Sequence, residues 1–111
     1  MVVNRNYMRA IPKEWRNISK VYTALGDEHR QRILLLFQAG AELTIKDVLA
    51  RVLEARQVSR TAVTHHLRVL RESGVLLAER RGKEVYLRPD PKRVLEAVEG
   101  LRSYIKDEFR L

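Results

Sequence analysis

The chain has 111 residues, 45% of them apolar and 32% charged, which suits one domain with a modest core and excludes both a two-domain protein and a disordered chain. It has no cysteine, which excludes disulfides, thiolate metal sites and thiol redox switches. Twenty-two Lys and Arg against fourteen Asp and Glu leave a net charge of +8, so a polyanionic partner is expected, nucleic acid before membrane.

The charge is unevenly placed: residues 1–24 carry +4, residues 25–55 carry −1, residues 56–88 carry +5, and residues 89–111 balance. The longest apolar run, Ile33 to Phe37, is far short of a membrane span. Arg5, Arg9, Lys13 and Arg16 have no apolar segment behind them, so no signal peptide and a soluble cytoplasmic protein are expected.

No repeat or Gly/Ser/Pro linker interrupts the chain, which predicts one domain over residues 1–111 with residues 1–10 as a loose N-terminal arm. Pro12 can open a first helix over 11–25, because proline at the first helical position gives up no bonded N–H. Ile11, Trp15, Ile18, Tyr22 and Leu25 lay an apolar stripe along it, and Gly26 ends it. Asp27 is placed to cap a second helix running to about Ala39, apolar nearly all round and central to the core, with Gly40 at its C-terminus. Thr44 and Asp47 predict the cap of a third helix, whose apolar face is Ile45, Val48, Leu49 and Val52.

Ser59 opens a fourth helix, with Val58 and Val63 placed as a hydrophobic staple and Gly74 as its stop. Two strand-like runs follow, Val75–Arg80 and Glu84–Arg88, around the turn Arg81-Gly82-Lys83, with Val85 and Leu87 facing inward. Asp90-Pro91 then starts a last helix over 91–109, where Val94, Val98, Leu101 and Ile105 repeat the stripe of the first. The predicted fold is mainly α with a small β-hairpin: helix-helix-helix-helix-hairpin-helix, a winged helix-turn-helix.

The third and fourth helices form the helix-turn-helix, which sets its second helix into the major groove. At 100° per residue Val63, Leu67 and Leu70 share one face of the fourth helix and must meet the core. The opposite side presents Thr61, Thr64, His65 and Arg68 with Arg60 and Arg71 at its edges, and no acid intervenes until Glu72. A polar outer face alone is commonplace on helices; joined to a capped preceding helix and a basic hairpin, it becomes a signal for DNA. The candidate contacts are Ser59, Arg60, Thr61, Thr64, His65, His66 and Arg68 on the helix and Arg80, Arg81 and Lys83 on the wing. His66 lies at the core edge, where a packing hydrogen bond is its ordinary role, while His29 reads as plain surface.

The runs "ALGDEHRQRILLLF", "AELTIKDV" and "SRTAVTHHLRVLRESGVLLAERRGKEVYLRPD", from about Leu25 to Asp90, resemble the winged-helix repressors of the ArsR family. The recognition-helix pattern S-x-x-x-V-x-x-H-L-x-x-L-x-x-x-G and the R-x-G-K/R wing carry the resemblance together. It implies a bacterial or archaeal homodimer that represses its own operon and leaves double-stranded DNA when a signal binds. By that analogy the first and last helices form the dimer interface, through Trp15, Ile18, Tyr22, Val98, Leu101 and Ile105; their stripes ask for a partner surface on their own account. The chain departs from the family at the turn, since eleven residues separate Asp47 from Ser59. Either the third helix runs a turn longer or the loop bulges, because such turns usually have about three to four residues.

The family's metal segment E-L-C-x-C-D-L stands here as Glu42-Leu43-Thr44-Ile45-Lys46-Asp47-Val48, with threonine and lysine at the thiolate positions. The last helix has no histidine, and its acids pair with basic residues at helical spacing. Adjacent His65 and His66 point about 100° apart and do not share a metal easily. No metal, no cofactor and no enzymatic activity are therefore expected; no phosphate loop or nucleophile constellation is present. The inducer is left as a small organic molecule or a protein partner, with a pocket around Trp15, Tyr22 and Tyr104 as one place for it. The competing reading is a signal-independent architectural DNA-binding protein. A membrane-surface role for the first helix, with Lys13 and Trp15, explains its stripe less well than dimerisation.

Overall fold

The computed structural model describes residues 5–38, 40–55 and 57–111. After a short 3-10 turn at Arg5–Met8 come α1 (Lys13–Leu25), α2 (Glu28–Leu34), β1 (Leu43–Thr44), α3 (Ile45–Glu54), α4 (Arg60–Glu72), β2 (Leu76–Arg81), β3 (Glu84–Pro89) and α5 (Pro91–Phe109). The order follows the predicted helices and hairpin, with one strand added. The arm expected over residues 1–10 lies outside the described residues at 1–4, and its 3-10 turn leaves Tyr7 and Met8 exposed.

The caps form where the residues demanded them. Asp27 accepts the N–H of Arg30 at 3.1 Å. Thr44 Oγ1 accepts the N–H of Asp47 at 3.0 Å while Asp47 Oδ2 accepts the N–H of Thr44 at 3.1 Å, a reciprocal box that satisfies two otherwise orphaned donors. Ser59 Oγ accepts the N–H of Ala62 at 3.1 Å. α4 buries Val63, Leu67 and Leu70, the three residues its wheel assigns to the core.

Three expectations are corrected. α2 does not run to Ala39, a residue outside those described, but ends at Leu34. The N–H groups of Leu36 and Phe37 bond three residues back, to Ile33 and Leu34, and this tightening buries Phe37 while Leu35 turns out to 81% exposure. Gly40 (φ 74°) therefore serves a turn closed by Ala41 N–H to Gln38 O, not the helix end. Second, the hairpin belongs to a three-stranded antiparallel sheet of order β1-β3-β2, with Leu43 opposite Leu87 and Thr44 opposite Tyr86. Third, α1 starts at Lys13 with Pro12 preceding it, and Val21 and Ala24, both fully buried, join Ile18 of the expected stripe in the core with Trp15, Tyr22 and Leu25 packed against it, while Ile11 stays exposed.

The long turn resolves as a longer helix: α3 reaches Glu54, and the recognition helix begins five residues later at its Ser59 cap. β2 and β3 meet at a two-residue Gly82-Lys83 turn in which Gly82 has φ 62°, the positive value a tight right-twisted hairpin requires.

α1 packs along α5. Trp15 meets Tyr104 edge-on with ring centroids 4.6 Å apart, and the Tyr22 hydroxyl donates to the Ala97 carbonyl. The chain is elongated, 56 × 31 × 24 Å with a radius of gyration of 17.5 Å. A compact domain of this length would have about 13 Å.

Candidate nucleic-acid interface

Arg30 fixes the recognition helix to the rest of the fold. Its guanidinium donates to the carbonyls of Ala24 and Thr23 at 2.8 Å each and reaches His66 Nδ1 at 3.1 Å, tying the end of α1, the start of α2 and the middle of α4. A guanidinium can only donate, so Nδ1 is the acceptor and a neutral His66 carries its proton on Nε2. His66 is 12% exposed and thus stands apart from its sequence neighbours, turned toward α2 rather than outward. Burial lowers its pKa, against the Asp27 carboxylate 4.0 Å away, which raises it, while Arg30, His29 and His65 add to the lowering.

This depression has a stability consequence. The unfolded chain binds the proton more readily than the folded one, so stability is complete above the ordinary histidine range and falls as pH drops from about 7 to 5. His66→Gln, whose amide oxygen can still accept from Arg30, is expected to flatten that fall; urea midpoints at the two pH values measure it. An unchanged pH dependence would show that the ring is not held neutral by its burial.

The outer side of α4 presents Thr61, Thr64, His65 and Arg68, all exposed, with Arg60 and Arg71 beside them. Arg68 Nη2 lies 3.1 Å from His65 Nδ1, so the two longest side chains of the row are held together. Ser59, at the head of the row, has its hydroxyl occupied by the cap. Arg60, Arg71 and Lys83 make no ion pair among the described residues.

The wing divides its cations. Alternation along β2 sets Leu76, Ala78 and Arg80 on one face, opposite Pro89, Leu87 and Val85, and sets Leu77, Glu79 and Arg81 on the other. Arg80 thus shares a face with the buried Leu76 but is itself exposed, its Nε donating to the Gly82 carbonyl at 3.3 Å. An open groove between α4 and β2 is lined by Arg68, Arg71, Glu72 and Ala78.

Arg81 is engaged elsewhere. It forms a bidentate pair with Glu42 at 2.7 and 3.0 Å, bonds Glu79 at 2.8 Å and stacks 4.6 Å over the Tyr86 ring. Two carboxylates thus offset the Arg81 charge within the protein, and Arg81 ties the wing to the segment leading into α3. The pairing holds the Glu42 and Glu79 carboxyls below their ordinary range, through the hydrogen bond from Arg81 first, and raises the Arg81 pKa further. In Arg81→Ala both carboxyl titrations are expected to move up toward ordinary glutamate, as read by carbon-detected NMR. If neither moves, the wing is not pinned in this way.

The junction after α4 is also fixed. Ser73 is buried, donating to Leu70 O at 2.8 Å and accepting from Val75 N–H at 3.2 Å, while Arg93 of α5 donates to Ser73 O at 3.0 Å. Gly74 takes φ 82° there, with the Arg93 side chain 3.3 Å from where a Cβ would sit.

On the far side of the molecule α5 carries an uncovered apolar stripe. Leu95, Val98, Leu101, Ile105 and Phe109 are 37–65% exposed. At 100° per residue they fall within about 120° of one another. Leu95 and Phe109 were absent from the expected interface set, and Val94 packs against the core instead. Trp15, Ile18 and Tyr22 are largely used within the chain, Ile18 being 8% exposed. Together with Ser19 and Leu101 they line an apolar hollow beside the stripe.

A family model described as "Helix-turn-helix domain" matches residues 25–78. The chain is 34% identical over 83 residues to a cadmium resistance transcriptional regulatory protein CadC homolog of Staphylococcus aureus, covering 75% of this chain and 65% of that one. It is 36% identical over 72 residues to the arsenical resistance operon repressor of Escherichia coli (strain K12), covering 65% of this chain and 58% of that one. The match thus spans less than two thirds of the length of these relatives. Among solved structures, an ArsR-like transcriptional regulator from Rhodococcus sp. RHA1 superposes with a TM-score of 0.70 at 24% identity, covering 91% of this chain and 88% of that one.

Proposed function

The chain belongs to the ArsR family of winged helix-turn-helix transcriptional regulators, and from that premise we propose that it is a homodimeric, sequence-specific repressor released from its operator by a non-metal signal. The observation that carries this reading is the outer face of α4. Thr61, Thr64, His65 and Arg68 are exposed opposite Val63, Leu67 and Leu70, which are buried. Hydroxyl, imidazole and guanidinium groups can donate to base edges, and Arg60, Arg71 and Lys83 around them, which make no ion pair among the described residues, suit phosphates. His66 is assigned a positioning role through Arg30, and Ser59 a capping role.

Dimerisation through α5, with α1 behind it, is supported by the apolar stripe and by the accessible surface of 8825 Å². A compact monomer of this mass would expose about 6,300 Å². No helix among the described residues is long and apolar enough to cross a membrane.

Selection from a random-sequence duplex library tests the reading. Enrichment of a palindromic site, bound about 10³-fold or more tightly than its scrambled form, is expected. Recovery of a sequence-independent pool would favour the architectural alternative instead.

The two curated relatives are named for cadmium and arsenic resistance. Here Thr44 is committed to the α3 capping box and Lys46 lies 3.8 Å from Glu84, so neither residue offers a soft ligand. Zinc, cadmium or arsenite at one equivalent per protomer is therefore expected to leave the fluorescence anisotropy of the protein–duplex complex unchanged. Stoichiometric release by any of them would contradict the non-metal assignment.

A further inference from the structure

Behind the recognition helix lies a cavity of about 150 Å³, walled by α2, α3, the turn between α3 and α4, and the first residues of α4. Ile33, Leu36, Val52, Val58 and Val63 give it apolar walls. An aliphatic cavity of this size holds one benzene-sized ring. Its charged lining residues are Arg32 and Arg51, joined by His29, Gln57 and His66, with no carboxylate among them. Arg32 is already paired with Glu28 at 2.7 Å, whereas Arg51 makes no ion pair among the described residues. His66 spends Nδ1 on Arg30, and its Nε2 has no hydrogen-bond partner among the described residues.

We propose that this cavity is a binding site for a small monocarboxylate with an apolar body of single-ring size, the body against the aliphatic walls and the carboxylate held by Arg51 and His66. An apolar floor excludes a polyanion, and an uncharged guest would forgo the charge-assisted hydrogen bonds that Arg51 can donate. The site is placed to matter for regulation. Val58 and Val63 bracket the Ser59 cap from either side, so a guest between them and α2 bears on the turn that aims α4. In that consequence the inference rests on the regulator reading, and it identifies the class of the non-metal signal. The site itself is tested on the protein without DNA.

Sodium benzoate and benzyl alcohol are the probes, each titrated to about 20 mM at matched ionic strength into the full chain, following the His29 and His66 ring signals by NMR. Benzoate is expected to shift both rings saturably with a midpoint on the order of 1 mM, and benzyl alcohol to bind at least about tenfold more weakly. Arg51→Gln is expected to weaken benzoate about tenfold, and Ala55→Phe, which fills the mouth from an exposed position, to abolish saturation. No saturable shift in the unaltered protein, equal midpoints for the two probes, or benzoate binding unaffected by Arg51→Gln would each overturn the proposal. Saturation by benzoate stands whether or not the selected duplex is bound, so failure of the site and failure of the DNA reading are separate results.

Discussion

Leu101→Glu is expected to split the dimer and to lower affinity for the selected palindromic duplex by at least about a hundredfold, because two linked half-site contacts become two independent ones. Leu101 is 39% exposed on the uncovered stripe and lines the hollow formed with Trp15, Ile18, Ser19 and Tyr22. In a two-fold dimer each copy would bring a carboxylate into that apolar contact. Burying an unpaired charge there costs several kcal/mol per ion, beyond the roughly 1.5–3 kcal/mol lost with the leucine. The core itself is untouched, since α5 contributes Ala97 and Val94 to it and Leu101 lies outside it. Sedimentation at micromolar concentration should therefore give twice 13.0 kDa for the unaltered protein and 13.0 kDa for the variant, with helical circular dichroism retained in both. An unaltered monomer that binds the palindrome tightly would remove the dimer from the proposal.

Arg68→Ala is expected to cost about 1–3 kcal/mol per half-site, and hence about 2–6 kcal/mol across a dimer, with most of the loss falling on the selected duplex. Its guanidinium is exposed in the middle of the outer face, and a guanidinium can bond a base edge bidentately. His65 holds it: the imidazole Nδ1 is 3.1 Å from Arg68 Nη2, so the guanidinium is partly ordered before DNA arrives. His65→Ala should weaken specific binding less than Arg68→Ala does, and the double variant should lose less than the two single effects combined. Additive losses would mean that the two side chains act independently.

The parts of this fold that were legible in the sequence are those governed by local periodicity and local hydrogen bonding. The wheel of α4 placed Val63, Leu67 and Leu70 inside and Thr61, Thr64, His65 and Arg68 outside because a 3.6-residue period admits only one such division. The Thr44–Asp47 box and the caps at Asp27 and Ser59 involve residues three apart. What was not legible depended on phase or on distance along the chain. The run Ile33 to Phe37 is apolar throughout, so it carries no phase to show where α2 ends and which leucine is left outside; Leu35 is. β1 has two residues, too few for any alternation, and exists because Leu43 and Thr44 meet β3 more than forty positions later.

The same division runs through the site. Arg81 looked like a tip cation because Glu42, 39 positions earlier, gives no sign in sequence that it will lie beside the wing. The Arg30–His66 contact spans 36 positions, so no local pattern signals that this ring is held against the Arg30 guanidinium. The stripe on α5 was only partly legible: Leu95 and Phe109 lie outside the four-three pattern that singled out Val98, Leu101 and Ile105, yet they share the uncovered face.

The division of labour between recognition helix and wing is the centre of the proposed function, and a salt titration of duplex binding tests it most directly. The unaltered protein, Arg68→Ala and Lys83→Ala are each titrated on the selected duplex and on its scrambled form. Lys83 sits at the hairpin tip with no ion pair among the described residues, so it can reach phosphates but few base edges. Lys83→Ala should weaken both duplexes alike and reduce the salt slope by about one per lost phosphate contact, approaching two in a dimer. Arg68→Ala should instead narrow the gap between the two duplexes and leave the slope on the scrambled one nearly unchanged. The contradicting result is the reverse pattern, with specificity lost on removing Lys83 and salt dependence lost on removing Arg68.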